Sequence, residues 1–241
     1  MSDYLHGHHA SVLRSHRSRT AANSAAYLLP YLRVGQRLLD VGAGPATITA
    51  DLAEIVGAEG VVALEVSESA LAVTRAGLTE RGLTQVGLQV GDAHALPFAD
   101  GSYDVVHAHQ VLQLLRDPVH ALRELARVTR PGGVVATRDS DYGGFTWHPA
   151  SPALQRWLEL YQRLARGLGA EPDAGRHYRA WADAAGLDEV TITTSVWTYA
   201  DAESVSWWGG LWAERSLASD FATRARGAGV DQATLESISA G

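Results

Sequence analysis

Asp40, Glu65 and Asp92 each close an apolar run, and glycines stand beside the first and the last of them. In Leu38-Leu39-Asp40-Val41-Gly42-Ala43-Gly44-Pro45-Ala46-Thr47 a buried apolar strand enters a tight glycine turn, with a helix starting behind it. Such a turn lets backbone approach a ligand closely and aims helix N–H groups at it. In Val61-Val62-Ala63-Leu64-Glu65-Val66-Ser67 the acid sits where a carboxylate can accept hydrogen bonds from both hydroxyls of a ribose. A surface or helix-capping carboxylate is the competing reading. In Val90-Gly91-Asp92-Ala93 the carboxylate could accept from the exocyclic amine of adenine, or act as a plain helix N-cap.

Histidines and tryptophans supply the other candidate chemistry. His6, His8 and His9 cluster ahead of the first helical stretch. A terminus near a pocket mouth is the commoner role for such a cluster, and no metal site is expected. His107 lies within a strand and alternates with its lining positions, so it reads as a satisfied core histidine. Trp208 and Trp212, in Trp207-Trp208-Gly209-Gly210-Leu211-Trp212, share a helix face by their spacing. They serve packing, an apolar pocket for a planar substrate, or both.

The elements that position these residues alternate. Residues 8–29 form one or two helices. Strands are expected near 37–41, 61–66, 86–90, 103–108 and 133–138, and helices near 46–56, 68–81 and 117–130. Arg130-Pro131-Gly132-Gly133 stops the last helix and starts the last of these strands. This alternation implies βαβ units, hence a Rossmann-like, doubly wound α/β fold with a mostly parallel sheet and helices on both faces. After residue 140 the texture changes, and all seven tryptophans lie there. Helices are expected at 151–168, 175–185, 201–218 and 231–239, with one more strand near 188–196. A single domain over 1–241 is expected, as an N-terminal helical cap (1–34), a ligand-binding core (35–139) and aromatic-rich, substrate-side elements (140–241).

Composition narrows the function. A net charge of −7 gives no electrostatic footprint for nucleic acid or anionic membrane. With no cysteine there is no disulfide, thiolate nucleophile or Cys-ligated metal. All 20 basic residues are arginine, so no lysine Schiff base or P-loop lysine is available. No apolar run reaches membrane-spanning length, and the start lacks the form of a signal peptide. A cytoplasmic protein, monomer or homodimer, is the expectation.

The stretch Gly91-Asp92-Ala93-His94-Ala95-Leu96-Pro97-Phe98-Ala99-Asp100-Gly101-Ser102-Tyr103-Asp104-Val105-Val106 resembles the signature of class I S-adenosylmethionine (SAM)-dependent methyltransferases. More narrowly, it resembles the small-molecule branch that includes the ubiquinone/menaquinone C-methyltransferases. Leu122-Arg123-Glu124-Leu125-Ala126-Arg127-Val128-Thr129-Arg130-Pro131-Gly132-Gly133 is similar to that branch's helix-to-strand connector. With the glycine turn and Glu65, the resemblance covers roughly 36–140. It implies SAM as cofactor and S-adenosylhomocysteine as product. Gly42, Ala43 and Gly44 would pass under the methionyl part, and Asp40 would support the turn or the amino group. Glu65, with Val66 beside it, would hold the ribose; Asp92 and Ala93 the adenine; His109 and Gln110 the methionyl group and the sulfonium. Ala46 stands where the family commonly has glycine. Such sheets usually end in a seventh, antiparallel strand; either it is missing here or it falls after Gly241.

The resemblance also implies an acceptor side. The N-terminal segment often folds over the cofactor in this family, which brings in Tyr4, His6 and His16. The loop Asp139-Ser140-Asp141-Tyr142-Gly143-Gly144-Phe145-Thr146-Trp147-His148 occupies the position from which such enzymes approach the acceptor. Tyr142, Trp147, Trp208 and Trp212 join Tyr4 as substrate-binding candidates. A phenol or amine acceptor would want a base, for which His9, His148 and Asp139 are the candidates. An electron-rich carbon could instead attack first and lose its proton afterwards. The expected function is methyl transfer to a small aromatic or heteroaromatic specialised metabolite, with C, N and O acceptors all open. A non-catalytic SAM-binding protein is the alternative. A nicotinamide oxidoreductase would leave the 92–104 stretch unexplained, and a nucleic-acid methyltransferase would want a basic surface.

Overall fold

The computed structural model describes Leu5 and residues 9–241. In chain order it contains α1 (Ala10–Arg17), α2 (Ala21–Ser24), β1 (Leu38–Val41), α3 (Thr47–Val56), β2 (Val61–Glu65), α4 (Glu68–Glu80), β3 (Gly87–Val90), β4 (Tyr103–His109), α5 (Pro118–Val128), β5 (Thr129–Arg138), α6 (Pro152–Gly167), α7 (Tyr178–Ala185), α8 (Ala202–Ala218), α9 (Asp220–Gly227) and α10 (Gln232–Ala240). Two compact units result. One comprises His16–Ser140 with Ala174–Ile192; the other comprises Asp141–Asp173, Thr193–Gly241 and the described part of Met1–Ser15.

The first unit is built on a five-stranded sheet in the order β3-β2-β1-β4-β5, and every neighbouring pair is parallel. Strand order runs outward from the centre in both directions, so the sheet has a switch point between β1 and β4, where open α/β sheets form their ligand crevice. All four residues of β1 are buried, as a parallel strand covered on both faces requires. Leu38, Ala63 and Val105 join Ala50, Leu52 and Ala53 of α3 in one core. Leu39, Val41, Val106 and Ala108 join Leu122, Leu125 and Val128 of α5 in the other. The α5 stripe is set by its start: Asp117 accepts from the His120 amide at 2.8 Å, and Pro118 opens the first turn. Burying one such leucine contributes about 1.5–3 kcal/mol.

Two expectations need correction. The last strand of the sheet begins at Thr129, ahead of the expected 133, because Thr129 pairs with Tyr103 across an irregularity in the register. Pro131 is tolerated there because β5 lies at a sheet edge among the described residues. The strand expected near 188–196 does not form. Val190, Ile192, Thr194 and Val196 alternate as a strand would, yet Ile192 and Val196 are exposed and no ladder among the described residues takes them in. β-Branched alternation supplies propensity, but cross-strand pairing is what stabilises a strand.

The second unit is helical. Its core gathers Tyr142, Trp157, Tyr161, Trp212, Phe221 and Leu235 from α6, α8, α9, α10 and the turn before α6. Tyr142 stacks on Tyr161 at 4.1 Å between ring centroids, and Trp212 meets Trp157 edge-on at 4.5 Å. Buried Arg215 ties α8 to α1 by donating to the Ser11 carbonyl at 2.7 Å and the Ser15 hydroxyl at 2.5 Å.

Candidate active site

The glycine turn sits at the switch point, and its glycines answer to different constraints. A Cβ on Gly42 would lie 2.5 Å from Val111 Cγ2, so the loop after β4 rests directly on the turn. A Cβ on Gly44 would meet nothing within 4 Å, which leaves the turn open above that residue. Both have positive φ (72° and 56°), and Ala46 adopts the same left-handed region at 61°. Alanine therefore occupies, with some backbone strain, the position where glycine is common. Helix α4 braces the turn from outside: Thr74 donates to the Gly44 carbonyl at 2.7 Å, and a Cβ on Gly77 would lie 2.1 Å from the Pro45 carbonyl oxygen.

Glu65, the last residue of β2, is buried, and its Oε1 accepts from the Gly44 amide at 2.6 Å. The acid and the open turn are thus one structure. Val66 follows with an exposed side chain. Asp92 stands beyond β3 and accepts from the His94 amide at 2.9 Å. That bond, helped by the adjacent imidazole, holds its carboxyl below the usual carboxylate range. Ala93 beside it is buried.

Under the turn, on one face of the sheet, lies a buried polar cluster. Asp40 and His107 are register partners on β1 and β4. Asp40 Oδ2 accepts from the Thr49 hydroxyl at 2.5 Å, while Oδ1 lies 2.7 Å from His107 Nδ1. His107 is satisfied at Nδ1, as expected of a core histidine, but its buried Nε2 has no partner among the described residues. His109, at the end of β4 and 7% exposed, has no partner for either ring nitrogen. Burial pushes its titration well below the ordinary value, and the charges of Arg19, His107 and Arg138 act in the same direction. Gln110 has a left-handed backbone (φ 56°); it accepts from Arg19 at 2.6 Å and donates to Ser140 at 2.9 Å. A non-glycine residue held there is strained and is worth reading for function.

Asp139 follows the last residue of β5. Its Oδ2 accepts from the Tyr178 hydroxyl at 2.5 Å, and its buried Oδ1 has no hydrogen-bond partner. Burial pushes the carboxyl up to about 6, against the hydrogen bond from Tyr178 and the pull of the nearby Gln113 and Leu112 amides, neither of which reaches Oδ1 within hydrogen-bond geometry. Sequence reasoning missed Tyr178, Thr49 and Tyr27, whose buried hydroxyl is also unpartnered. Tyr178 lies 39 residues beyond Asp139 with no local motif linking them.

Most of the remaining described candidates belong to the helical unit. His9 lies 2.9 Å from the Ser11 hydroxyl and 3.7 Å from Glu214. His148 is exposed. Tyr142 and Trp212 are buried in the aromatic core, and Trp147 and Trp208 pack against it half-buried. Trp208 also stacks on Tyr199 at 4.9 Å. Tyr4, His6 and His8 lie outside the described residues. His16, in the sheet unit, accepts at its carbonyl from Thr47 at 3.3 Å.

A methyltransferase domain family model matches residues 39–137, which run from β1 into β5. An uncharacterized methyltransferase of Schizosaccharomyces pombe is 33% identical over 225 residues, covering 90% of this chain and 81% of that protein. A demethylmenaquinone methyltransferase of Parafrankia is 36% identical over 200 residues, covering 75% of each. The chain belongs to the class I SAM-dependent methyltransferases. A solved SAM-dependent methyltransferase from Aquifex aeolicus shares the fold, with a TM-score of 0.51 at 21% identity over 67% of this chain and 78% of that one. The residues present fit the methyltransferase cofactor. The turn is open above Gly44, and a carboxylate suited to a ribose is bonded to that same glycine. Among the described residues no helix is long and apolar enough to cross a membrane.

Proposed function

We propose that this methyltransferase acts on a small aromatic or heteroaromatic acceptor that gives up a proton, with Asp139 as the base. The observation that carries the reading is Asp139 itself: a carboxyl at the carboxyl edge of the sheet, raised to about 6, with one oxygen held and the other unpartnered. A group so tuned is ionised at neutral pH and still takes a proton readily, as a general base requires. His9 has serine and glutamate partners, and His148 is exposed, so neither matches Asp139 as a base. In this reading Gly42, Ala43 and Gly44 carry the methionyl part of SAM, with Asp40, His109 and Gln110 around it. Glu65 and Val66 hold the ribose, and Asp92 with Ala93 the adenine. Bound SAM supplies an electrophilic methyl group on a positively charged sulfur. What the chain contributes is alignment, water exclusion and a destination for the proton; positioning alone accounts for about 7–11 kcal/mol of such barriers.

An aromatic acceptor is supported by the name of the Parafrankia relative, a demethylmenaquinone methyltransferase, and by the tryptophan-rich segment after residue 140. A role in specialised metabolism, a single functional domain over 1–241 and a cytoplasmic setting belong to the same proposal. Turnover with SAM is to be measured by mass spectrometry on phenols, hydroquinones and nitrogen heterocycles beside aliphatic alcohols and amines. Methylation confined to the aromatic set, and lost in Asp139→Asn, is expected. Methylation of the aliphatic set alone would overturn the acceptor class, and SAM binding with no turnover on any acceptor would favour a SAM-binding protein without catalysis.

A further inference from the structure

The hydroxyl of Tyr178 donates to Asp139 from the first residue of α7, a helix that packs on α5. The contact joins two elements far apart in sequence. Around it the chain places Arg19 before α2, Tyr27 after α2, Arg138 at the end of β5, and the amides of Leu112 and Gln113 after β4. None of these offers Asp139 Oδ1 a hydrogen bond within normal geometry. The two carboxylate oxygens therefore have unequal surroundings, one held at 2.5 Å and one buried and unpartnered. A buried, unpartnered oxygen beside a satisfied one is a costly arrangement for a group with only a structural role. It suits a carboxylate that must be fixed in rotation while one lone pair stays available.

We propose that Tyr178 is a positioning residue, whose hydroxyl fixes Oδ2 of Asp139 so that Oδ1 is the oxygen that accepts the acceptor's proton. The inference rests on Asp139 being the base. The proton passes from the acceptor heteroatom to Oδ1, and its bonding pair remains on the acceptor as the nucleophile. Tyr178 keeps its own proton throughout: burial, and then the neighbouring carboxylate, raise its titration well above the ordinary value. A hydroxyl donating to a carboxylate stabilises the ionised form, so its removal moves the carboxyl's titration upward.

The test reads the carboxyl directly. In the whole chain without SAM, carboxyl-labelled aspartate is titrated by NMR, with Asp139→Asn identifying the signal. Tyr178→Phe is expected to move that titration up by about one to two pH units. It is expected to move the acid limb of kcat/KM by the same amount, with SAM affinity unchanged. Where the phenylalanine variant does not fold, 3-fluorotyrosine at position 178, a stronger donor, should move both downward. An unmoved titration in either variant overturns the role of Tyr178. Full turnover by Asp139→Asn, with the titration shift still present, overturns the base assignment instead, so the two failures read differently.

Discussion

A carboxyl that titrates high in the fold and normally in the unfolded chain couples stability to pH, and Asp139 does so in a stated direction. Its titration is raised to about 6, so its contribution to folding is fully present below about pH 4 and is lost as pH rises through the folded value. At pH 8 the ionised form disfavours the fold by as much as about 3 kcal/mol. Asp139→Asn should therefore be more stable than wild type in urea at pH 8 and lose that advantage at pH 4, while turnover falls. An equal difference at both pH values would contradict the raised titration. The glycines of the turn give a second contrast. Gly44→Ala meets no atom, so it should unfold within about 1–2 kcal/mol of wild type, reflecting left-handed strain alone, yet lose SAM binding. Gly42→Ala drives a methyl group into Val111 and should destabilise the fold itself. Thermal unfolding and SAM titration of the pair separate a cradle from a packing contact.

Elements were legible where a strand's end or a helix's cap is a local chemical event. Ser67, Asp117, Ser151, Asp201 and Asp231 each accept from an amide within their own first turn, and the helices they open lie close to their expected positions. Helix α9 escaped notice because it follows α8 after Ser219 alone, which caps the new helix while ending the old one. What no local pattern revealed is the bracing of the turn by α4. Gly77 looks like a poor helix residue, and alanine there would gain about 1 kcal/mol of helix propensity. Yet its Cβ would lie 2.1 Å from the Pro45 carbonyl, and backbone cannot yield as a flexible side chain can. Gly77→Ala is therefore expected to be less stable than wild type by about 1–3 kcal/mol in thermal or urea unfolding, and to bind SAM more weakly. A gain in stability would show that α4 does not brace the turn.

At the scale of the molecule, the sheet unit was the readable part. Its acids and glycines recur at strand ends, where spacing along the chain maps onto position along one sheet edge. The buried polar pairs beneath were less readable, because Asp40 meets His107 only through strand pairing and Asp139 meets Tyr178 only through helix packing. The stretch 188–199 misled for the opposite reason: its alternation is local, whereas a strand's existence is not. Residues 191–198 are exposed and outside any helix or strand, so chymotrypsin should nick first at Trp197, ahead of the buried Trp157 and Trp212. Protection of Trp197 would show that this stretch is covered in solution. The central claim is that the strand-end turn, held by Glu65, is where SAM binds. Calorimetric titration of SAM into wild type and Glu65→Ala tests it most directly. Wild type should bind, and the variant should bind about 10- to 100-fold more weakly, as expected for loss of a charged hydrogen-bond acceptor. Equal affinity in the two proteins would contradict it.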